Sequence, residues 1–133
     1  MHRSFWAMTV FVLCSAAPLS AHHAVQAQFD QDNVTTITGV MTRVMWINPH
    51  VRWFMDVTDE NGDVASWNIS GASPRLFRNA GISARDVFKT GETYSATIAL
   101  ARDGSEFGYI ISFVMPDGRE MDLWQQYRSE GGQ

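Results

Sequence analysis

The sequence predicts a mostly β protein: a small OB-fold-like barrel of five or six strands, with one short helix between strands 3 and 4. Three observations carry this expectation. Apolar residues alternate along short segments, an Asn-Gly turn joins two of those segments into a hairpin, and a Ser-Pro helix start follows the third segment. Three strands, a helix and two strands is the order of the five-stranded Greek-key barrel. The pattern leaves a β-sandwich or an open meander with one helix as alternatives.

Strand 1 is expected from Thr35 to Trp46, which is rich in β-branched residues, with Gly39 interrupting it as a bulge or sharp bend does. Strand 2, Val51 to Val57, places Val51, Trp53, Met55 and Val57 on one face and Arg52 and Asp56 on the other. Glu60-Asn61-Gly62-Asp63 fits a hairpin turn of type I′, after which Val64 to Ser70 returns with Ala65, Trp67 and Ile69 on a shared face. Ser73 is placed as an N-cap, Pro74 as the first helical residue and Gly81 as the stop, with Ser83 capping a further turn toward Phe88. Two strands follow, one alternating through Tyr94, Ala96, Ile98 and Leu100, the other through Phe107, Tyr109, Ile111 and Phe113. Arg102-Asp103-Gly104-Ser105 joins them. A tight turn at Met115-Pro116-Asp117-Gly118-Arg119 leads to a short strand near Met121 and Leu123.

The 133 residues suffice for one domain, and 45% hydrophobic with 18% charged residues is globular composition. Eight Phe, five Trp and three Tyr supply large side chains for a core. The N-terminus reads as a secretory signal peptide: Arg3 is the positive start, Phe5 to Cys14 is an uncharged apolar run, and Ala16 to Ala21 is the small-residue exit. That run is too short for a membrane-spanning helix of about 20 residues. Cleavage after Ala21 divides the chain into a signal peptide (1–21), one OB-like barrel domain (22–128) and a flexible tail (129–133). The expected location is the periplasm, with no stable membrane anchor after cleavage.

Processing at Ala21 removes Cys14, the only cysteine, so core packing rather than disulfides must stabilise the mature domain. It also removes Arg3 but none of the 14 acidic residues, leaving a domain more acidic than the whole chain at −4. Such a charge argues against a nucleic-acid partner, which is held through its phosphates by basic residues.

The histidines are the residues of most chemical interest. After cleavage His22, His23 and His50 are the remaining imidazoles. A terminal His chelates through its α-amine and ring nitrogen together, a second His adds a nitrogen, and such a set suits the square-planar preference of Cu(II). His50 completes that metal site if the terminus lies near the Asn48-Pro49-His50 turn. The plain alternative is a polar start with no ligand, since no fixed HxxxH or CxxC spacing is present. A second candidate set is Trp46, Asn48, Arg52, Trp53 and Trp67, because OB barrels bind ligands with the strand 1–2 loop, the strand 4–5 loop and the strand 2–3 face. Those tryptophans serve equally well as core, and Asn48-Pro49 as turn chemistry. No GxSxG elbow, P-loop, GxGxxG or zinc-protease helix occurs, so a non-catalytic protein is expected.

Several segments together resemble a family of small exported bacterial proteins known mainly as a domain of uncharacterised function. They are His22-His23-Ala24 with Phe29-Asp30, Trp46-Ile47-Asn48-Pro49-His50, Gly71-Ala72-Ser73-Pro74 with Leu76 and Gly81, Arg102-Asp103-Gly104-Ser105, and Pro116-Asp117-Gly118-Arg119. Where the family pattern has Ser after the two histidines and Ala after Asn-Pro-His, this chain has Ala24 and Val51. The resemblance implies export, a compact β domain, and one site shared by the histidine pair and His50. It implies no activity. The sequence therefore points to a periplasmic binding or accessory protein that takes copper through its histidines. The alternatives are small-molecule or carbohydrate binding on the barrel face, or an accessory subunit of a periplasmic enzyme.

Overall fold

The structure is a computed structural model that describes residues 25–124. The expected signal peptide, His22, His23 and the tail from Ser129 lie outside the described residues. The elements run β1 (Phe29–Met45), β2 (Val51–Thr58), β3 (Val64–Gly71), α1 (Pro74–Asn79), α2 (Ala84–Val87), β4 (Thr93–Ala101), β5 (Phe107–Val114) and β6 (Glu120–Asp122). The sheet order is β3-β2-β1-β4-β5-β6. A parallel pairing of residues 68–70 with 107–109 joins β3 to β5 and closes the sheet into a ring. Closure leaves no exposed edge along the paired strands. The fold is thus mostly β and OB-fold-like, with two short helices between β3 and β4 and a sixth strand added to the end of β5.

Helix α1 starts where its sequence says. The Ser73 hydroxyl accepts a hydrogen bond from the Leu76 N–H at 3.3 Å, Pro74 occupies the first turn, and Pro74, Leu76 and Phe77 are buried against the barrel. Helix α2 follows Ser83, although the Ser83 side chain makes no capping bond there.

Four details depart from expectation, each for a local reason. β1 begins at Phe29 rather than Thr35, because Phe29 and Asp30 pair with Ala101 and Leu100 before the ladder resumes at Val34 opposite Ala99. Residues 31–33 are looped out between those pairings, and their polar composition hides the strand from a hydrophobic pattern. The expected bulge at Gly39 lies instead between Met41 and Arg43, while Gly39 stays in register with Tyr94. At the β2–β3 hairpin only Gly62 has positive φ, at 90°, so the turn is not type I′. The Asp59 carboxylate accepts from the N–H groups of Asn61 at 2.8 Å and Asp63 at 2.9 Å, which favours a longer loop ending in a left-handed glycine.

The fourth departure sets up the functional surface. Between Thr97 and Ile98 the β4–β5 register slips, pairing Thr97 with Ser112 and Ile98 with Ile110. Ile111 is the extra residue, and it flips the alternation of β5. Phe113 and Ile110 enter the barrel core with Met41, Trp53, Met55, Ile69, Tyr94 and Phe77. Tyr109 instead joins a second buried cluster with Val25, Phe29, Ala99 and Ala101, against which Phe107, Ile111 and Trp124 pack. The barrel wall at β4–β5 is therefore apolar on both sides, and the helical residues 25–28 lead into β1 beside it.

Candidate functional site

Residues 46–50 link β1 to β2 and fix the site's geometry. Trp46 at the start of this loop is turned toward the core, edge-on to Phe77 at 5.0 Å and tilted on Phe88 at 6.4 Å. At the other end the Val51 N–H donates to the Ala72 carbonyl at 2.9 Å. Between these anchors Ile47, Asn48 and Pro49 are exposed, and the Asn48–Pro49 peptide is cis. His50 is half-buried, with its ring edge-on to Tyr109 at 6.1 Å and an interplanar angle of 82°.

Tyr109 connects this imidazole to both ends of the described chain. Its ring lies 5.4 Å from Phe29 and 6.0 Å from Trp124. Phe29 in turn sits edge-on to Phe107 at 4.9 Å, and the Arg52 guanidinium lies 5.0 Å above the Phe107 ring. The site is a row of edge-on and tilted rings with one imidazole and one guanidinium at its rim.

Burial lowers the pKa of His50 below its ordinary 6.5, and the nearby positive charge of Arg52 lowers it further. The imidazole is therefore neutral at pH 7, with a ring nitrogen able to accept a proton or a metal. Because the folded state holds the proton less tightly than the unfolded chain, this group's contribution to stability is intact above the ordinary value. It falls as the pH drops through that value. The expected result is a urea midpoint that declines as the pH is lowered below about 6.5 and on through the lower folded value, and declines less in His50→Gln. Parallel declines in the two proteins would remove His50 from the account.

The remaining predicted site residues are dispersed. Trp53 is 0% exposed inside the barrel, so the expectation that it contacts a ligand is corrected in favour of the core. Trp46 packs against the barrel core, on Phe77 of α1 and on Phe88 just after α2, rather than in the ring cluster beside His50. Trp67 is half-buried, packed against the core on one side and lining a cleft on the other. Of the face set, Arg52 alone joins His50 electrostatically, while Asn48 stays exposed in the connecting loop. His22 and His23 are outside the described residues, and among the described residues no three His, Cys, Asp or Glu side chains converge to hold a metal. No helix among the described residues is long and apolar enough to cross a membrane.

Sequence reasoning missed Tyr109 as the ring beside the histidine, and Phe29, Phe107 and Trp124 as the rings that extend from it. The available signal was the segment 107–113, where apolar residues occupy both strand faces, as in strands buried on two sides.

The model of the family of unknown function DUF6152 matches residues 9–110. The chain belongs to that family. This DUF6152 member matches no protein of curated description. Among solved structures its barrel is similar to the mitochondrial single-stranded DNA binding protein Rim1 from S. cerevisiae. The identity is 8%, the TM-score 0.47, and the match covers 71% of this chain and 95% of Rim1. A likeness at that level carries no argument about what the DUF6152 domain binds.

Proposed function

We propose that the mature protein is an exported, periplasmic, non-catalytic binding or accessory module that holds a Cu(II) ion through His22, His23 and His50. One observation supports this reading above the others. Val25 and Phe29 are buried in the same cluster as Tyr109, and the Tyr109 ring touches His50. The chain that leads to the two histidines is thus tethered beside the third. His23 stands two residues before Val25, which limits the distance between their Cα atoms to about 7 Å.

The donor set fits the metal. An α-amine and two imidazoles at a terminus, with a fourth nitrogen from His50, match the nitrogen preference and tetragonal geometry of Cu(II). Metal binding requires a deprotonated imidazole, and the burial that lowers the His50 pKa supplies one at neutral pH. The charge of Arg52 opposes a dication, so the site depends on several nitrogen donors acting together.

Export through the native signal peptide, with mass spectrometry to establish the first residue, makes the test direct. Protein beginning at His22 is expected to bind one Cu(II) at neutral pH. One extra N-terminal residue, or His50→Ala, is expected to weaken binding at least tenfold, roughly 1.4 kcal/mol or more. Equal binding by the native and extended forms contradicts the proposal.

A further inference from the structure

At the mouth of the barrel, where the β4–β5 loop meets the beginning of β1, lies a cleft of about 310 Å3. Its lining includes the half-buried Trp67 indole and the polar side chains of Asp30, Asn33, Arg102 and Ser105. We propose that this cleft binds a neutral sugar ring, either as a free hexose or as the end of an oligosaccharide.

The shape has a specific origin in the chain. Residues 31–33 are looped out of the β1–β4 ladder between Asp30 and Val34, which sets Asn33 at the cleft. Such irregularities at barrel rims redirect side chains toward ligands. The facing wall is built in advance. Asp103 accepts from the Ser105 N–H at 3.0 Å and from the Ser105 hydroxyl at 2.6 Å, fixing the loop. Arg102 reaches across to Asp30 at 3.5 Å and donates from Nε to the Gln26 carbonyl at 3.2 Å.

The chemistry selects the ligand class. Asp30 and Arg102 neutralise each other, so the cleft presents no net charge from this pair and favours an uncharged molecule. What remains is an aromatic surface beside groups that between them donate and accept hydrogen bonds: the Asn33 amide does both, the Ser105 oxygen accepts while its proton goes to Asp103, and the outer atoms of the ion pair add donors and acceptors. A pyranose has a matching division, with C–H groups on its faces to lie against an indole and hydroxyls around its edge that donate and accept. The volume falls at the lower end of the range of about 300–1,000 Å3 for small-ligand sites, which suits one or two rings. This site is separate from His50 and does not rest on copper binding.

The test is an NMR titration of 15N-labelled mature protein in EDTA, so that the outcome is independent of any metal. The probes are glucose, galactose, N-acetylglucosamine and cellobiose, with Trp67→Phe used to assign the Trp67 indole resonance. The expected result is a saturable shift of the Trp67 Nε1–H and the Asn33 amide signals, while the Trp53 signal in the core stays fixed. Tighter binding of cellobiose than of glucose identifies an oligosaccharide end, and equal binding identifies a free hexose. The double variant Asn33→Ala/Ser105→Ala changes two exposed residues outside the hydrophobic core, and residue 105 keeps its backbone N–H bond to Asp103. It is expected to weaken binding about tenfold, as the loss of one or two hydrogen bonds predicts. The proposal is overturned if none of the four sugars shifts the Trp67 signal, or if the double variant binds as tightly as the native protein.

Discussion

Trp53→Ala is expected to lower the unfolding free energy by about 3–5 kcal/mol, the usual effect of removing a large buried aromatic ring. The ring is 0% exposed and stands in the middle of the aromatic core, 5.3 Å from Phe113, 5.5 Å from Phe88 and 6.3 Å from Phe77. Those partners come from β5, α1 and the segment after α2, so truncation loosens the barrel wall and its helical plug together. Against a total stability of about 5–15 kcal/mol for an ordinary domain, that loss is a large fraction of what holds the fold together. Trp53→Phe separates packing from polarity. The Trp53 Nε1–H is buried without a hydrogen-bond partner among the described residues, so phenylalanine keeps an aromatic ring and gives up no bond of that group. The phenylalanine variant is expected to lose less than half as much as the alanine variant in urea denaturation followed by circular dichroism. Equal losses in the two variants would mean that the ring's packing is not what stabilises the core.

Gly39→Ala carries the second large effect, about 3 kcal/mol, at the upper end of what a forced steric insertion costs. A Cβ at residue 39 would run into the Asp56 carbonyl oxygen and lie 2.9 Å from a Val57 methyl. The obstructing atom is backbone in the neighbouring strand, so relief requires β1 and β2 to part. The adjacent Thr38 offers the control. It is exposed, its hydroxyl pairs with Ser95 at 2.7 Å, and Thr38→Ala is expected to change stability by less than about 0.5 kcal/mol. A thermal or urea midpoint for Gly39→Ala close to that of Thr38→Ala would show that the two strands accommodate a methyl group.

These two residues also show what the sequence made legible. Trp53 belongs to an unbroken alternation, and an alternation of that kind fixes which face is buried, so strand 2 and its hairpin partner were readable in advance, whereas the barrel followed only from the order of elements, which left a sandwich or meander open. Gly39 looked like a bulge because a glycine in a strand has two physical explanations, irregularity and close approach, and only the neighbouring strand decides between them. The Ser73-Pro74 helix start was readable because capping is local. Ile111 was not: a register slip depends on the pairing strand, and one extra residue moved Phe113 inward and left Tyr109 beside Phe29. The same limit applies to the candidate site. His50 was visible as an unusual residue in a Pro turn, but its contact with Tyr109 and its neutralisation by burial and Arg52 arise from the closure of β3 onto β5. The Trp67 cleft depends on a looped-out segment whose polar residues carry no strand pattern.

The N-terminal histidines and His50 are proposed to hold one copper ion between them. Electron paramagnetic resonance of the exported, processed protein loaded with one equivalent of Cu(II) tests this most directly, because the nitrogen superhyperfine splitting counts the nitrogen ligands. The account predicts a nitrogen-rich tetragonal spectrum that changes when His50 is replaced by alanine and changes again when the terminus is extended by one residue. A spectrum indifferent to both alterations would contradict it.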